Sequence, residues 1–117
     1  MKTRKPFLIS FALSMIICSS MAYGGDVRVF VRHTVTDFPA WKKGYDAFAP
    51  EQKKAGVFNK SVYQSVDNPN DVTVIHDFHS LDKAKDFVDS QSLAEDMQKN
   101  GVQGKPDIWI TTTTEKK

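Results

Sequence analysis

An alternation of valines with polar residues limits most strongly the folds open to this chain. Residues 26–35 read DVRVFVRHTV, and a period of two with β-branched residues predicts a strand with one buried face. Similar segments, VFNKSVYQSV at 57–66 and VTVIHDF at 72–78, predict a second and a third strand. The cluster DNPND at 67–71 predicts a tight link, so these two form a hairpin. A last strand is expected over 108–114.

Two helical segments separate these strands. Asp37 is the predicted N-cap of the first, in which Trp41, Tyr45 and Phe48 recur at helical spacing. Pro50 is expected to kink or restart this helix. Ser80 is the predicted cap of the second helical segment, which continues to residue 99 with an interruption at 89–92. The order β-α-β-β-α-β predicts a ferredoxin-like α+β fold, a four-stranded antiparallel sheet with helices on one face.

The other face of such a sheet is uncovered in a monomer. An exposed apolar sheet face is an association surface. The strands carry more apolar residues than one layer of two short helices can cover. We therefore expect a homodimer that packs through the sheet faces, a dimeric α+β barrel.

The first 24 residues have the pattern of a secretory signal peptide: a basic start, an apolar run over 7–18, then small residues. That run is shorter than the roughly 20 residues needed to span a bilayer. Export to the periplasm or medium is expected, with cleavage after Ala22 or Gly24 and a domain over 25–117. A lipoprotein anchored through Cys18, the only cysteine, is the alternative, although Ile17 before it is not small. The domain itself cannot form a disulfide.

The charge of the exported domain is close to zero. The chain has 16 basic and 14 acidic residues, but three basic ones lie before residue 25, which leaves 13 against 14. This charge balance lacks the excess of basic residues that is typical of a nucleic-acid-binding protein. Residues 25–117 contain no apolar run long enough for a membrane helix. Neither nucleic acid nor membrane is an expected partner.

The segments VRHTVTDFPAWK at 31–42, DNPN at 67–70 and LDKA at 81–84 resemble small dimeric α+β barrel proteins. These belong to the antibiotic-biosynthesis-monooxygenase-like superfamily, some members of which are labelled cyclases. The resemblance covers almost the whole of 25–117 and implies the dimeric barrel fold. It does not imply one activity, because members include cofactor-free monooxygenases, haem-degrading enzymes, isomerases and polyketide cyclases.

The haem-degrading branch of this superfamily carries a histidine and a tryptophan on its last helix. Met97 stands near the histidine position and Phe87 near the tryptophan position, and no histidine follows residue 79. This departure argues against haem, so no cofactor is expected.

Two histidines are the candidate catalytic groups. By alternation His33 shares a face with the valines of the first strand, and His76 shares one with Val74 and Phe78. If these faces coincide, both histidines line one pocket between sheet and helices, where a neutral imidazole can act as acid or base. The alternative is that each is satisfied by a backbone carbonyl at the edge of the core.

Five aromatic residues are candidates for the wall of a ligand pocket. They are Trp41, Tyr45, Phe78, Phe87 and Trp109. Trp41 and Tyr45 are equally explained as core, and Trp109, opposite in phase to Ile108 and Ile110, as part of the dimer interface. No metal is expected, because two histidines supply too few of the three or four ligands that zinc needs.

Two classes of function therefore stay open. One is a cofactor-free enzyme or binder acting on a small, flat, hydrophobic or aromatic molecule, monooxygenase- or cyclase-like by resemblance only. The other is a non-catalytic dimeric module whose pocket is filled by its own side chains.

Overall fold

The computed structural model describes residues 25–114, so the predicted signal peptide, Cys18 and the predicted cleavage site lie outside the described residues. Eight elements follow one another along the chain. They are β1 Val27–Val35, α1 Phe38–Ala47, α2 Ala49–Ala55, β2 Asn59–Gln64, β3 Asp71–Phe78, α3 Leu81–Val88, α4 Gln91–Lys99 and β4 Val102–Thr112. No helix among the described residues is long and apolar enough to cross a membrane.

The strands form one antiparallel sheet in the order β2-β3-β1-β4. The predicted ferredoxin-like α+β fold is confirmed, with β1 and β3 as central neighbours. Val29 lies opposite His76 and His33 lies opposite Val72. The valines and histidines of both strands therefore share the face that the helices cover.

Side-chain caps begin the helices where the sequence predicts. Asp37 accepts a hydrogen bond from the Ala40 amide at 3.1 Å, and Ser80 accepts one from the Lys83 amide at 3.3 Å. The first helical segment breaks at Phe48, and Pro50 lies in the first turn of α2, where its missing N–H costs nothing. Ser90 caps α4 in the same way, which explains the interruption between the two later helices.

Two predicted strand bounds are wrong. The second strand is shorter than 57–66, because the Val57 amide caps the carbonyl of Gln52 at the end of α2. The last strand is longer than 108–114 and begins at Val102. Gly104, with φ +68°, and Pro106 were predicted to form a loop, but they lie in a bulge of this strand opposite Arg32 and Thr34. The strand tolerates them because it is at the edge of the sheet.

The core lies between the sheet and the four helices. Its strand side is almost entirely valine, and its helix side is aromatic or small. Trp41 and Tyr45 of α1, Phe87 of α3 and Leu93 of α4 pack against that valine surface. This arrangement places both buried histidines beneath the aromatic residues of α1.

The opposite face of the sheet carries no helix among the described residues. Phe30 lies between Ile75 and Trp109 in the ladder, and its ring stacks on Trp109 at 5.1 Å. Ion pairs flank this apolar centre, Arg28 with Asp77 and Arg32 with Asp71, each at 2.7 Å.

Candidate functional site

His76 and Tyr45 form a buried polar pair between β3 and α1. The Tyr45 hydroxyl lies 2.8 Å from His76 Nε2, and the two rings are nearly parallel. Nδ1 of His76 is buried and has no hydrogen-bond partner among the described residues. Nδ1 lacks a hydrogen-bond partner in either ring tautomer, because the Tyr45 hydroxyl bonds only to Nε2.

His33 is the second buried imidazole and is 7% exposed. Trp41 of α1 packs against it edge to face, with ring centroids 5.6 Å apart. Nδ1 of His33 is also buried without a partner in the described part of the chain. An unmet buried polar group costs about 1–3 kcal/mol, so a histidine is a poor choice here for packing alone.

Burial keeps both imidazoles neutral. It lowers the pKa of His76 to about 4, helped by the nearby charge of Lys60 and opposed by Asp77. Burial also lowers the pKa of His33, against smaller opposite effects of the residue's own backbone and of Asp71. The pKa of Tyr45 is raised, chiefly by burial. The site therefore presents uncharged hydrogen-bonding groups at neutral pH.

The two histidines lie at opposite ends of this cluster. Four positions of β1 separate His33 from Val29, the residue opposite His76, which corresponds to about 13 Å along the strand. Trp41 and Tyr45, stacked with centroids 4.9 Å apart, bridge the distance. One small group cannot touch both imidazoles, whereas a flat molecule of two or three fused rings can.

A small cavity lies within this cluster. Of the predicted site residues, it brings together His33, His76, Trp41, Tyr45 and Phe87. About 20 Å³ is free for the centre of a water molecule, which is room for about one water. In this conformation the cavity holds no larger ligand.

Two predicted pocket residues lie elsewhere. Phe78 is fully buried behind Phe87, with ring centroids 5.6 Å apart, and does not line the cavity. Trp109 is 45% exposed on the other face of the sheet, because its neighbours Ile108 and Ile110 take the helix-facing positions of β4. It stacks on Phe30 instead.

The cavity wall also contains residues that were not predicted as site residues, among them Gln52, Asp96 and Met97. Gln52 continues the helical spacing of Trp41, Tyr45 and Phe48, which was the signal for it. The amide of Gln52 is 2% exposed, and its Oε1 accepts a hydrogen bond from Lys60 Nζ at 2.7 Å. Burial raises the pKa of Asp96, so this carboxyl is a further candidate acid or base.

An apolar groove adjoins the cavity between α4 and β4. Its volume is about 300 Å³, and its lining includes Val88, Val102 and Ile108. Leu93 and Met97 line both the groove and the cavity, so these two side chains form the partition between them. Movement of this partition would join the spaces.

Residues 25–114 contain no group of three or more histidine, cysteine, aspartate or glutamate side chains placed to hold a metal ion. The separation of His33 from His76 also prevents these two from sharing one ion.

Proteins of known structure share this fold. The ferredoxin-like α+β fold of this chain matches that of solved proteins that are assigned as antibiotic biosynthesis monooxygenases. A protein from Bordetella bronchiseptica assigned as an antibiotic biosynthesis monooxygenase superposes with a TM-score of 0.67 at 16% identity, over 78% of this chain and 99% of that one. SnoaB, a cofactor-independent oxygenase from Streptomyces nogalater, superposes with a TM-score of 0.64 at 11% identity, over 79% and 96%. A conserved protein from Methanosarcina mazei gives 0.63 at 16% identity, over 81% and 99%.

The sequence matches no protein-family model and no curated protein sequence. At these identities the structural neighbours establish the fold alone. The resemblance drawn from the sequence is thus confirmed at the level of the fold.

Acid is expected to destabilise the protein through the buried histidines. Unfolded His76 takes up a proton near pH 6.5, whereas the folded residue does so only near pH 4. The free energy of unfolding is therefore highest above pH 6.5. It falls by about 3 kcal/mol as the pH drops from 6.5 towards 4. Urea unfolding at a series of pH values measures this slope.

His76→Gln should flatten the slope. An unchanged slope in His76→Gln would contradict the assignment.

Proposed function

We propose that this protein is an exported homodimer that binds or transforms a small, flat, hydrophobic or aromatic molecule without a bound cofactor. The observation that carries the proposal is the pair of buried imidazoles, each with an unmet Nδ1, in the wall of one aromatic cavity. A ligand hydroxyl or carbonyl would satisfy these nitrogens and recover the cost of burying them.

The residues that line the cavity indicate which class of ligand it would bind. Trp41, Tyr45 and Phe87 offer ring faces and edges to a flat molecule. The neutral histidines offer hydrogen bonds without charge, which disfavours a buried carboxylate as the ligand group between them. Cofactor-free chemistry is supported by the fold shared with SnoaB, which is described as a cofactor-independent oxygenase.

Entry of the ligand requires movement of the partition formed by Leu93 and Met97. Met97 is the adaptable member, because an unbranched thioether chain fills irregular space in several rotamers. With Met97 turned aside, the groove of about 300 Å³ and the cavity become one site. That combined space reaches the lower limit of common ligand pockets.

The homodimer is proposed through the open sheet face. Phe30, Ile75 and Trp109 form its apolar centre, and Tyr63 on β2 is 54% exposed on the same face. Two copies would bury these aromatic groups against each other, with the flanking ion pairs at the rim. Export is proposed from residues 1–24 alone, and N-terminal sequencing of the protein recovered outside the cytoplasm checks it.

A non-catalytic dimeric module is the second candidate. The observation that favours it is the small free volume of the cavity, which admits about one water. In that case a buried water meets at most one of the two histidines, and no larger ligand enters.

The test is a thermal-shift screen of flat aromatic compounds on the wild type and on Met97→Ala. Under the proposal, at least one compound raises the melting temperature of the wild type. Met97→Ala widens the partition, so larger analogues of that compound should bind more tightly to it. Val88→Ala is the matched control, because Val88 lines the groove but not the cavity.

A screen in which no compound shifts either protein would favour the non-catalytic module. Equal effects of Met97→Ala and Val88→Ala would contradict the proposed path of entry.

A further inference from the structure

A second and larger opening lies between α2 and β2. This cleft has a volume of about 680 Å³. The residues that matter for its chemistry are Gln52, Lys53, Val57, Phe58, Asn59 and Lys60. None of the functions considered above uses it.

The charged groups that line this cleft are both cationic. They are Lys53 and Lys60, and no carboxylate is among the lining residues. Lys53 makes no ion pair within the described residues. Lys60 donates one hydrogen bond to Gln52, which leaves two of its three ammonium protons for another acceptor. The cleft is therefore complementary to an anion.

The backbone carbonyls at the end of α2 do not compete with an anion for the lysine ammonium groups. The carbonyls of Gln52 and Lys53, at the C-terminal end of the helix, accept hydrogen bonds from the amides of Val57 and Gly56. Beside the lysines, Phe58 is 47% exposed and Val57 is close to it in the cleft wall. Cationic and apolar groups thus lie side by side.

We propose that the cleft between α2 and β2 binds an amphipathic anion, whose charged group is held by Lys53 and Lys60 and whose apolar part covers Val57 and Phe58. Asn59 adds a polar group at the rim, although its amide also donates to Asp77 at 3.2 Å.

This cleft is connected to the histidine cavity. Gln52 lines both, and Lys60 lies beside His76 across the β2–β3 ladder. Lys60 Nζ is 5.1 Å from the centre of the Tyr45 ring, and the Tyr45 hydroxyl contacts His76. An anion on Lys60 therefore reduces the positive potential at His76, so occupancy of the cleft tunes the proposed site. Binding in the cleft is independent of the proposed function, and only this coupling rests on it.

The experiment uses hexanesulfonate, which stays ionised across the pH range, and hexanol as its neutral analogue. Binding to residues 25–117 is followed by NMR at constant ionic strength, on the amide of Phe58 and its neighbours. We expect hexanesulfonate to bind more tightly than hexanol. Lys53→Gln and Lys60→Gln should each weaken hexanesulfonate binding by about two- to fivefold, the scale of one exposed charge contact. Lys43→Gln, on α1 and outside the cleft, is the matched control and should bind like the wild type.

Absence of binding, or equal binding of hexanol, overturns the anion site. An equal effect of all three lysine variants also overturns it, because it would show only a general charge effect.

The coupling has its own readout in the titration of His76. His76 contacts Tyr45 and lies beside Lys60, and Asp96 lines the same cavity. Asp77 acts on His76 from the other face of the sheet, where it pairs with Arg28. Saturating hexanesulfonate should raise the pKa of His76, and Lys60→Gln should raise it without any ligand. Binding that leaves this pKa unchanged overturns the coupling and leaves the anion site in place. Failure of the aromatic screen would deprive the coupling of its functional role but would leave the anion site in place, so the two proposals fail separately.

Discussion

Trp109→Glu is expected to convert the proposed homodimer into a monomer. The indole stacks on Phe30 at the centre of the open sheet face, and both rings would be buried between two copies. A glutamate there places an unpaired carboxylate from each copy in a dry interface, which costs several kcal/mol per ion. Size-exclusion chromatography with light scattering at micromolar concentration measures the change.

The fold of the monomer should survive this substitution, because Trp109 is 45% exposed in the single chain and lies outside the core. Circular dichroism checks this. Val66→Glu, at a turn residue that is 99% exposed, is the matched control and should remain dimeric. A wild-type protein that is monomeric at this concentration would refute the dimer.

His33→Leu is expected to raise the melting temperature while it weakens ligand binding. Leucine fills a similar volume and removes the unmet Nδ1, which costs about 1–3 kcal/mol in the wild type. For a domain of this size that gain corresponds to a rise of about 5 °C or more. Loss of the same nitrogen should weaken binding of any compound found in the screen by about tenfold, the effect of one lost hydrogen bond in a buried site.

His79→Gln is the control, because His79 is exposed and pairs with Asp26 away from the cavity. It should change binding little. If His33→Leu instead lowers the melting temperature and leaves binding intact, His33 serves the fold and not the site.

The fold was predictable because its signals are local. Alternating valines, the caps Asp37 and Ser80 and the turn at 67–71 each depend on a few neighbouring residues. The common face of His33 and His76 followed from the same alternation, once β1 and β3 were assumed to be neighbours.

The remainder of the site depends on distances between elements. Gln52 belongs to the helical spacing of Trp41 and Tyr45, but the break at Phe48 obscured that continuity. Asp96 and Met97 reach the cavity only because α4 packs across it, which no local pattern reveals. The free volume of the cavity is a result of close packing and has no sequence signature.

The irregular edge of the sheet has a consequence for how this domain meets other chains. A long, regular edge strand is a template on which other chains add and form aggregates. In β4 the bulge at Gly104 turns the backbone out of register, and Pro106 has no N–H to offer a new strand. An incoming strand therefore cannot pair with this edge along its whole length. Gly104 and Pro106, which made the first part of the strand look like a loop in the sequence, thus protect the edge from strand addition.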